Sequence, residues 1–283
     1  LAFKITLMKI TAIVATKNEE NHIGNCLQSI KEQKFPRKNI EIIVVDNHSN
    51  DDTKKIALKY TKNVFDVVIG NKTKNFRGAQ VNQGLKKSTG EIIFFPDADM
   101  TFDKGLFQEI SQKMNRFDAL YIPETIKGNG YFGKVRNFER SFYNKTPVDA
   151  IRVVNRTLFK KIGGYDEKNI MFGADDWDLT KTIKKQTNKI SITQKGIYHH
   201  EELLDLKTFL RKKKKYVKTF DSYVNKWGKD DKDVTKQLGL WYRSVVVYVE
   251  NDKWKKLVAH PILAISMYSI RFITWLSYIF QNK

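Results

Sequence analysis

Cysteine is almost absent from this 283-residue chain: Cys26 stands alone. One cysteine excludes an intramolecular disulfide and any cysteine-based metal centre, and it is compatible with a reducing compartment. Acidic residues are also short, 31 Asp and Glu against 51 Lys and Arg, for a formal net charge of +20. Such an imbalance asks for an anionic partner: nucleic acid, a phosphorylated substrate or an anionic membrane surface. Nucleic acid is the weakest of the three, because no nucleic-acid-binding motif occurs. No Gly-x-x-x-x-Gly-Lys-Ser/Thr occurs, which excludes the P-loop, and the one Gly-x-Gly-x-x-Gly, Gly128 to Gly133, lies far from the first strand, where the usual dinucleotide site would need it. The first residues lack a long apolar stretch ending in a small-residue cleavage site, so no secretory leader is expected. At 41% hydrophobic and 29% charged residues, the chain reads as globular, one large domain or one domain plus an appendage.

What is present starts with Glu91-Ile92-Ile93-Phe94-Phe95-Pro96-Asp97-Ala98-Asp99. Five residues rich in Ile and Phe predict a buried strand. The strand runs into two carboxylates one residue apart, and buried charge is costly unless paired or metal-bound. A divalent cation shared with substrate phosphates would give Asp97 and Asp99 a reason to be there; a polar turn after a strand is the plainer alternative. Upstream, strands are expected at Lys9–Ala15, Ile40–Val45 and Val64–Ile69, with helices over 21–33, to about Lys62 and to about Lys87. Alternation at this spacing implies βαβ units, an α/β fold with a mostly parallel sheet flanked by helices. Ligands of such sheets bind beyond the carboxyl ends of the strands. Thr16 to Glu19, Asp46-Asn47 and Asp97 to Asp99 should therefore converge on one cleft.

Further strands are expected at Ala119–Ile122, Ala150–Asn155 and Ile190–Thr193. Residues 126–147, rich in glycine and aromatics, read either as a mobile, substrate-shaping segment or as a rigid amphipathic helix around 133–143. Asp175-Asp176-Trp177-Asp178 opens a helix. Acids there are favoured by the helix dipole alone, but three carboxylates in four residues beside a Trp exceed what capping requires.

In order, the segments Val14 to Glu20, Val44 to Asp51, Arg77-Gly78-Ala79-Gln80-Val81-Asn82, Asp97-Ala98-Asp99, Gly163-Gly164-Tyr165-Asp166 and Asp175-Asp176-Trp177-Asp178-Leu179 resemble the family 2 glycosyltransferases of the GT-A fold. The resemblance covers roughly residues 9 to 200. It implies a Rossmann-type GT-A sheet and inverting transfer of a sugar from a nucleotide-sugar, UDP- or GDP-linked, to an acceptor hydroxyl. By the same resemblance, Thr16, Glu19 and Asn47 would line the base and ribose pocket with Asp46 beside them. Arg77 would approach the nucleotide, and Asp97 and Asp99 would hold Mg²⁺ or Mn²⁺ on the diphosphate. Asp176 would be the general base, with Asp175 next to it. The physics agrees: a nucleoside diphosphate leaving group needs a cation, and a weak hydroxyl nucleophile needs a positioned base. Three departures stand out. Lys17 replaces a frequent Tyr, Asn47 a frequent Asp, and Asp175 a common Glu. No Gln-x-x-Arg-Trp follows the base motif, which points to addition of single sugars rather than processive synthesis.

His199-His200 follow a short strand, and His200 is slightly favoured as a further metal ligand. Lys207, Arg211 to Lys215 and Lys218 form a basic cluster, suited to pyrophosphate or anionic lipid. Leu257 to Phe280 is the most apolar stretch, long enough to span a bilayer. Yet His260, Pro261 and Arg271 interrupt it, and an in-plane anchor with Trp254, Tyr268, Trp275 and Tyr278 at the interface fits better. The expected organisation is a catalytic domain over 8–202, with a nucleotide-sugar half at about 8–100 and an acceptor half at about 101–202. A basic and apolar helical appendage over 203–283 follows. The expected acceptor is a lipid-linked or cell-surface glycan precursor, and the expected location is the cytoplasmic face of the cell membrane. A nucleotidyl-type transferase and a non-catalytic membrane or glycan-binding module are the competing readings.

Overall fold

The computed structural model describes residues 7–217 and 219–279. Lys218 and Phe280 lie outside these, as does the side chain of Tyr278. The first hundred residues alternate as expected: β1 (Ile10–Thr16), α1 (Ile23–Lys31), β2 (Ile40–Asp46), α2 (Thr53–Leu58), β3 (Val64–Asp66), α3 (Phe76–Lys87) and β4 (Ile92–Phe94). Then come β5 (Met100–Phe102), α4 (Leu106–Lys113), β6 (Ala119–Tyr121), β7 (Glu124–Lys127), α5 (Gly130–Arg140), β8 (Ile151–Asn155), α6 (Arg156–Lys161), α7 (Asp175–Gln186), β9 (Ile190–Ile192) and β10 (Ile197–His200). The chain continues as α8 (Leu206–Val217), α9 (Phe220–Trp227), α10 (Lys232–Leu238), a π turn at Tyr242–Val246, α11 (Val247–Val249), α12 (Trp254–Ala259) and α13 (Pro261–Ile279).

The main sheet has the order β3-β2-β1-β4-β8-β6-β9. Its β3-β2-β1-β4 half is parallel, whereas β8 runs antiparallel to both β4 and β6. Strand alternation sends Ile10, Ala12, Val14, Phe94 and Val153 to the face covered by α1 and α4. Ile13, Ile93, Phe95 and Val154 go to the face shared with Val81 and Leu85 of α3, Phe159 of α6 and Leu179 and Ile183 of α7. Each fully buried Ile or Phe contributes about 1.5–3 kcal/mol, so two covered faces fix this sheet on both sides.

Register decides what meets at its edge. Thr16 pairs with Asp46 across β1 and β2, and Ala15 bridges Asp97 just beyond β4. The three polar strand ends therefore abut. A second sheet, β5-β10-β7, lies beyond β4 and sets His199 opposite Met100. Of the two readings of residues 126–147, the structure has the helix, α5.

Candidate active site

The loop after β1 and the loop after β2 hold each other. Asn18 N–H donates to Ser49 Oγ at 2.8 Å, and Asn50 N–H donates to Asn18 Oδ1 at 2.9 Å. Glu19 N–H donates to Thr53 Oγ1 at 2.7 Å. Asp46 is fully buried, and its carboxylate accepts from Ser49 N–H at 2.7 Å and Ser49 O–H at 2.6 Å. It thus shapes the loop that carries half-buried Asn47, whose N–H donates to Thr16 C=O at 2.9 Å. Gln80 of α3 ties the two strand ends from below, donating to Thr16 C=O and Val45 C=O. Thr16 Oγ1 is buried with no hydrogen-bond partner among the described residues. Burial, and the charge of Asp99, raise the Glu19 carboxyl above its usual range.

At the centre lies a ring of four charges. Arg77, in the first turn of α3, donates from Nε to Asp97 Oδ1 at 2.6 Å and from Nη1 to Asp176 Oδ1 at 3.1 Å. Arg152 of β8 closes the ring, with Nη1 3.3 Å from Asp97 Oδ2 and 3.5 Å from Asp176 Oδ2. Burial alone would raise the Asp97 carboxyl, but Arg77 and Arg152 outweigh it and hold it down at about 2. Tyr165 O–H donates to Asp176 Oδ1 at 2.7 Å, and burial keeps that phenol well above its ordinary range, so it stays a donor. Tyr165 is delivered by Gly163-Gly164, both with positive φ. A Cβ on Gly164 would run into Asn82 Oδ1, the atom that accepts from Tyr165 N–H. Asp175 is 4% exposed and accepts from Gly173 N–H at 2.9 Å and Asn75 Nδ2 at 3.2 Å. Asn75 in turn caps α3 through Gly78 N–H, so Asp175 braces the helix that carries Arg77. Burial and neighbouring Asp176 push the Asp175 carboxyl up to about 6.

Asp99 sits beside the ring. Its Oδ2 is 3.1 Å from His199 Nε2, and its Oδ1 is buried with no hydrogen-bond partner among the described residues. His199 Nδ1 is held by Glu124 Oε1 at 2.9 Å. His200, the histidine favoured from sequence, bonds Thr101 Oγ1 at 2.9 Å and Glu202 Oε1 at 2.7 Å. It lines a cavity of about 420 Å³ with Asp99, His22, Asn21 and Asn25; its backbone N–H donates to Asp99 C=O at 2.9 Å, but the side-chain contact to the Asp99 carboxylate belongs to His199. Among the described residues, no three His, Cys, Asp or Glu side chains form a ready-made metal cage. A cation held on diphosphate oxygens needs only one or two carboxylates, and the unpaired Asp99 Oδ1 fits that demand. Asp97, taken up by two guanidinium groups, is less free to ligate.

The sequence pattern does not show that Arg152 and Tyr165 meet the site carboxylates, and it ranks His199 just below His200 as a metal ligand. Arg152 had a signal: a lone cation inside the apolar strand Ile151-Arg152-Val153-Val154.

A family model described as glycosyl transferase family 2 matches residues 11–180, and one described as glycosyltransferase like family 2 matches residues 106–263. A poly(ribitol-phosphate) β-glucosyltransferase of Bacillus spizizenii is 37% identical over 210 residues, covering 68% of this chain and 32% of the relative. A poly(ribitol-phosphate) β-N-acetylglucosaminyltransferase of Staphylococcus aureus is 25% identical over 209 residues, covering 69% of this chain and 35% of the relative. The chain thus spans about a third of the length of these curated relatives. Among solved structures, a mannosyltransferase of Pyrobaculum calidifontis, in complex with GDP-mannose and Mn²⁺, superposes with a TM-score of 0.59. It is 18% identical and covers 96% of this chain and 85% of that one.

Proposed function

The chain belongs to glycosyl transferase family 2, and on that premise we propose that it moves a sugar from a nucleoside diphosphate donor to an acceptor hydroxyl, with inversion and with Mg²⁺ or Mn²⁺. The observation that carries this reading is the ring of Asp97, Arg77, Asp176 and Arg152 at the strand ends, with the unpaired Asp99 Oδ1 beside it. Asp99 would hold the cation, with Asp97 behind it and His199 or His200 at its edge. Bound there, the cation would neutralise charge developing on the leaving diphosphate.

The protein's own groups carry the rest. Thr16, Glu19, Asp46 and Asn47 bound the base and ribose pocket, Asp46 through the loop it shapes. Arg77 turns toward the nucleotide, and Asp175 keeps its helix in place. Asp176 takes the proton of the acceptor hydroxyl as the new C–O bond forms on the anomeric carbon. The bond from that carbon to the β-phosphate oxygen breaks on the opposite face, and its electron pair leaves with the nucleoside diphosphate. Arg77 and Arg152 hold both Asp176 oxygens, and a donor diphosphate that drew Arg77 away would free Oδ1 to take the acceptor proton.

The acceptor we propose is an anionic cell-surface glycan precursor, lipid-linked or polymeric, of which the relatives' poly(ribitol-phosphate) is one example. Its charge complements the net +20 of the chain. This reading keeps residues 8–202 as the catalytic domain and 203–283 as an appendage, with the enzyme peripheral on the cytoplasmic membrane face. Product analysis with UDP- and GDP-sugars tests it. Release of a nucleoside diphosphate with a β- from an α-linked donor, or the reverse, supports inverting transfer; release of pyrophosphate would instead mark a nucleotidyl transferase.

A further inference from the structure

Helix α13 is amphipathic in an unusual way. Its inner face, Leu263, Ala264, Met267 and Ile270, packs into a core with Val135, Phe138 and Phe142. Its one charged residue, Arg271, also points inward, donating to Glu139 Oε1 at 2.9 Å. The outer face holds Ile262 at 72%, Ile265 at 68% and Phe272 at 57% exposed, together with Tyr268, Ile273 and Trp275. Nineteen residues therefore present a solvent-facing side without a single charge, where an ordinary surface helix is charged. Trp254 and Val258 of α12 are exposed just before it. No described helix is long and apolar enough to cross a membrane.

The neighbourhood says what would cover this face. Helix α8 packs against α13, and its Lys207, Arg211, Lys212 and Lys215 are exposed. A second copy of a +20 chain would bring like charge against like charge. An anionic bilayer supplies both an apolar interior for Ile262, Ile265 and Phe272 and phosphates for the cations, with Tyr268 and Trp275 suited to the headgroup level. We propose that the outer face of α13, with the cations of α8, is a docking surface on which the protein lies in the plane of an anionic bilayer. This deepens the proposed function and rests on it for the identity of the acceptor, which would be met at a lipid surface. The docked helix is tied to the site. Tyr131 O–H of α5 bonds Ser266 Oγ of α13 at 2.7 Å. Asn129 Nδ2 donates to the carbonyl of Glu202, a residue lining the Asp99 cavity, at 2.9 Å.

The test is co-sedimentation of the full chain with vesicles of phosphatidylcholine alone or with added phosphatidylglycerol. The expected result is binding only to the anionic vesicles. It should be lost in Ile265→Asp/Phe272→Asp and weakened about fivefold for each cation neutralised to Gln among Lys207, Arg211 and Lys212. Nucleoside diphosphate binding, read by thermal shift on the same samples, reports whether each variant is folded. If the wild type ignores anionic vesicles, or forms dimers that Ile265→Asp/Phe272→Asp dissociates, the docking proposal is overturned. If vesicles bind as expected but no nucleotide does, the transferase reading fails and the docking surface stands.

Discussion

Glu139 under α13 and Asp99 at the cleft are both carboxylates set among cations or imidazoles, yet the fold treats them in opposite ways. Glu139 Oε2 accepts from Arg136 at 2.7 Å, and Oε1 accepts from Tyr143 at 2.6 Å and Arg271 at 2.9 Å. Burial would raise this carboxyl, but Arg136 and Arg271 drive it far below the usual range. Asp99 has one oxygen on His199 and the other on nothing. A buried acceptor without a partner costs about 1–3 kcal/mol. A saturated carboxylate clamps helices together; an unsaturated one holds a position for something that arrives later. Composition does not make this distinction, since both clusters contain Arg, carboxylate and Tyr.

Substitutions can break that comparison. The largest effect is expected at Asp176→Asn, which removes the base and should lower the rate of transfer about 10²–10⁴-fold with the far-ultraviolet circular dichroism unchanged; full activity would remove the mechanism. Next comes Glu139→Ala, which leaves Arg271 without a carboxylate and Arg136 with only Glu201 at 3.6 Å. It should cost about 3–5 kcal/mol by urea unfolding and affect donor binding little in the molecules still folded. Asp99→Ala should show the reverse pattern. It removes an unsatisfied acceptor but also leaves His199 Nε2 without its Asp99 partner, and the two offset, so stability should move by less than about 1 kcal/mol, while cation-dependent donor binding disappears.

The smallest effect is a slope. The Asp175 carboxyl is raised to about 6 by burial and by Asp176. A raised folded-state value means that its contribution to stability is complete below its ordinary value, near 4, and is lost as pH rises through 6. Asp97, held down at about 2 by its two arginines, works the other way, contributing above pH 4 and losing its contribution as pH falls through 2. Asp175→Asn should therefore flatten the urea midpoint between pH 4 and 6. The midpoint's fall in strong acid should remain.

Much of this was legible beforehand. Alternating apolar periods located every element through β4, and the rule that ligands gather at strand ends brought Thr16, Asp46 and Asp97 together, as the pairing of β1 with β2 and β4 bears out. Strand direction was not legible, because Ala150 to Asn155 has the same composition whether it runs up or down the sheet. That is why the antiparallel direction of β8, and with it the place of Arg152 at the site, could not be read from the pattern. Adjacent histidines on a strand point to opposite faces, so the choice between His199 and His200 depended on the register of β10 against β5, which no local pattern encodes. Likewise the partners of Asp176 come from residues 77, 152 and 165, and only the folded chain brings them together.

The central claim is that Asp99 holds a cation on a donor diphosphate. The most direct measurement is the thermal shift of the wild type and of Asp99→Ala with UDP, GDP, dTDP and CMP, each with and without Mn²⁺. Stabilisation by bound ligand follows its concentration over Kd. A Mn²⁺-dependent rise in Tm is expected with one nucleoside diphosphate in the wild type, and none in Asp99→Ala. An equal rise in both proteins, or one indifferent to Mn²⁺, would contradict it.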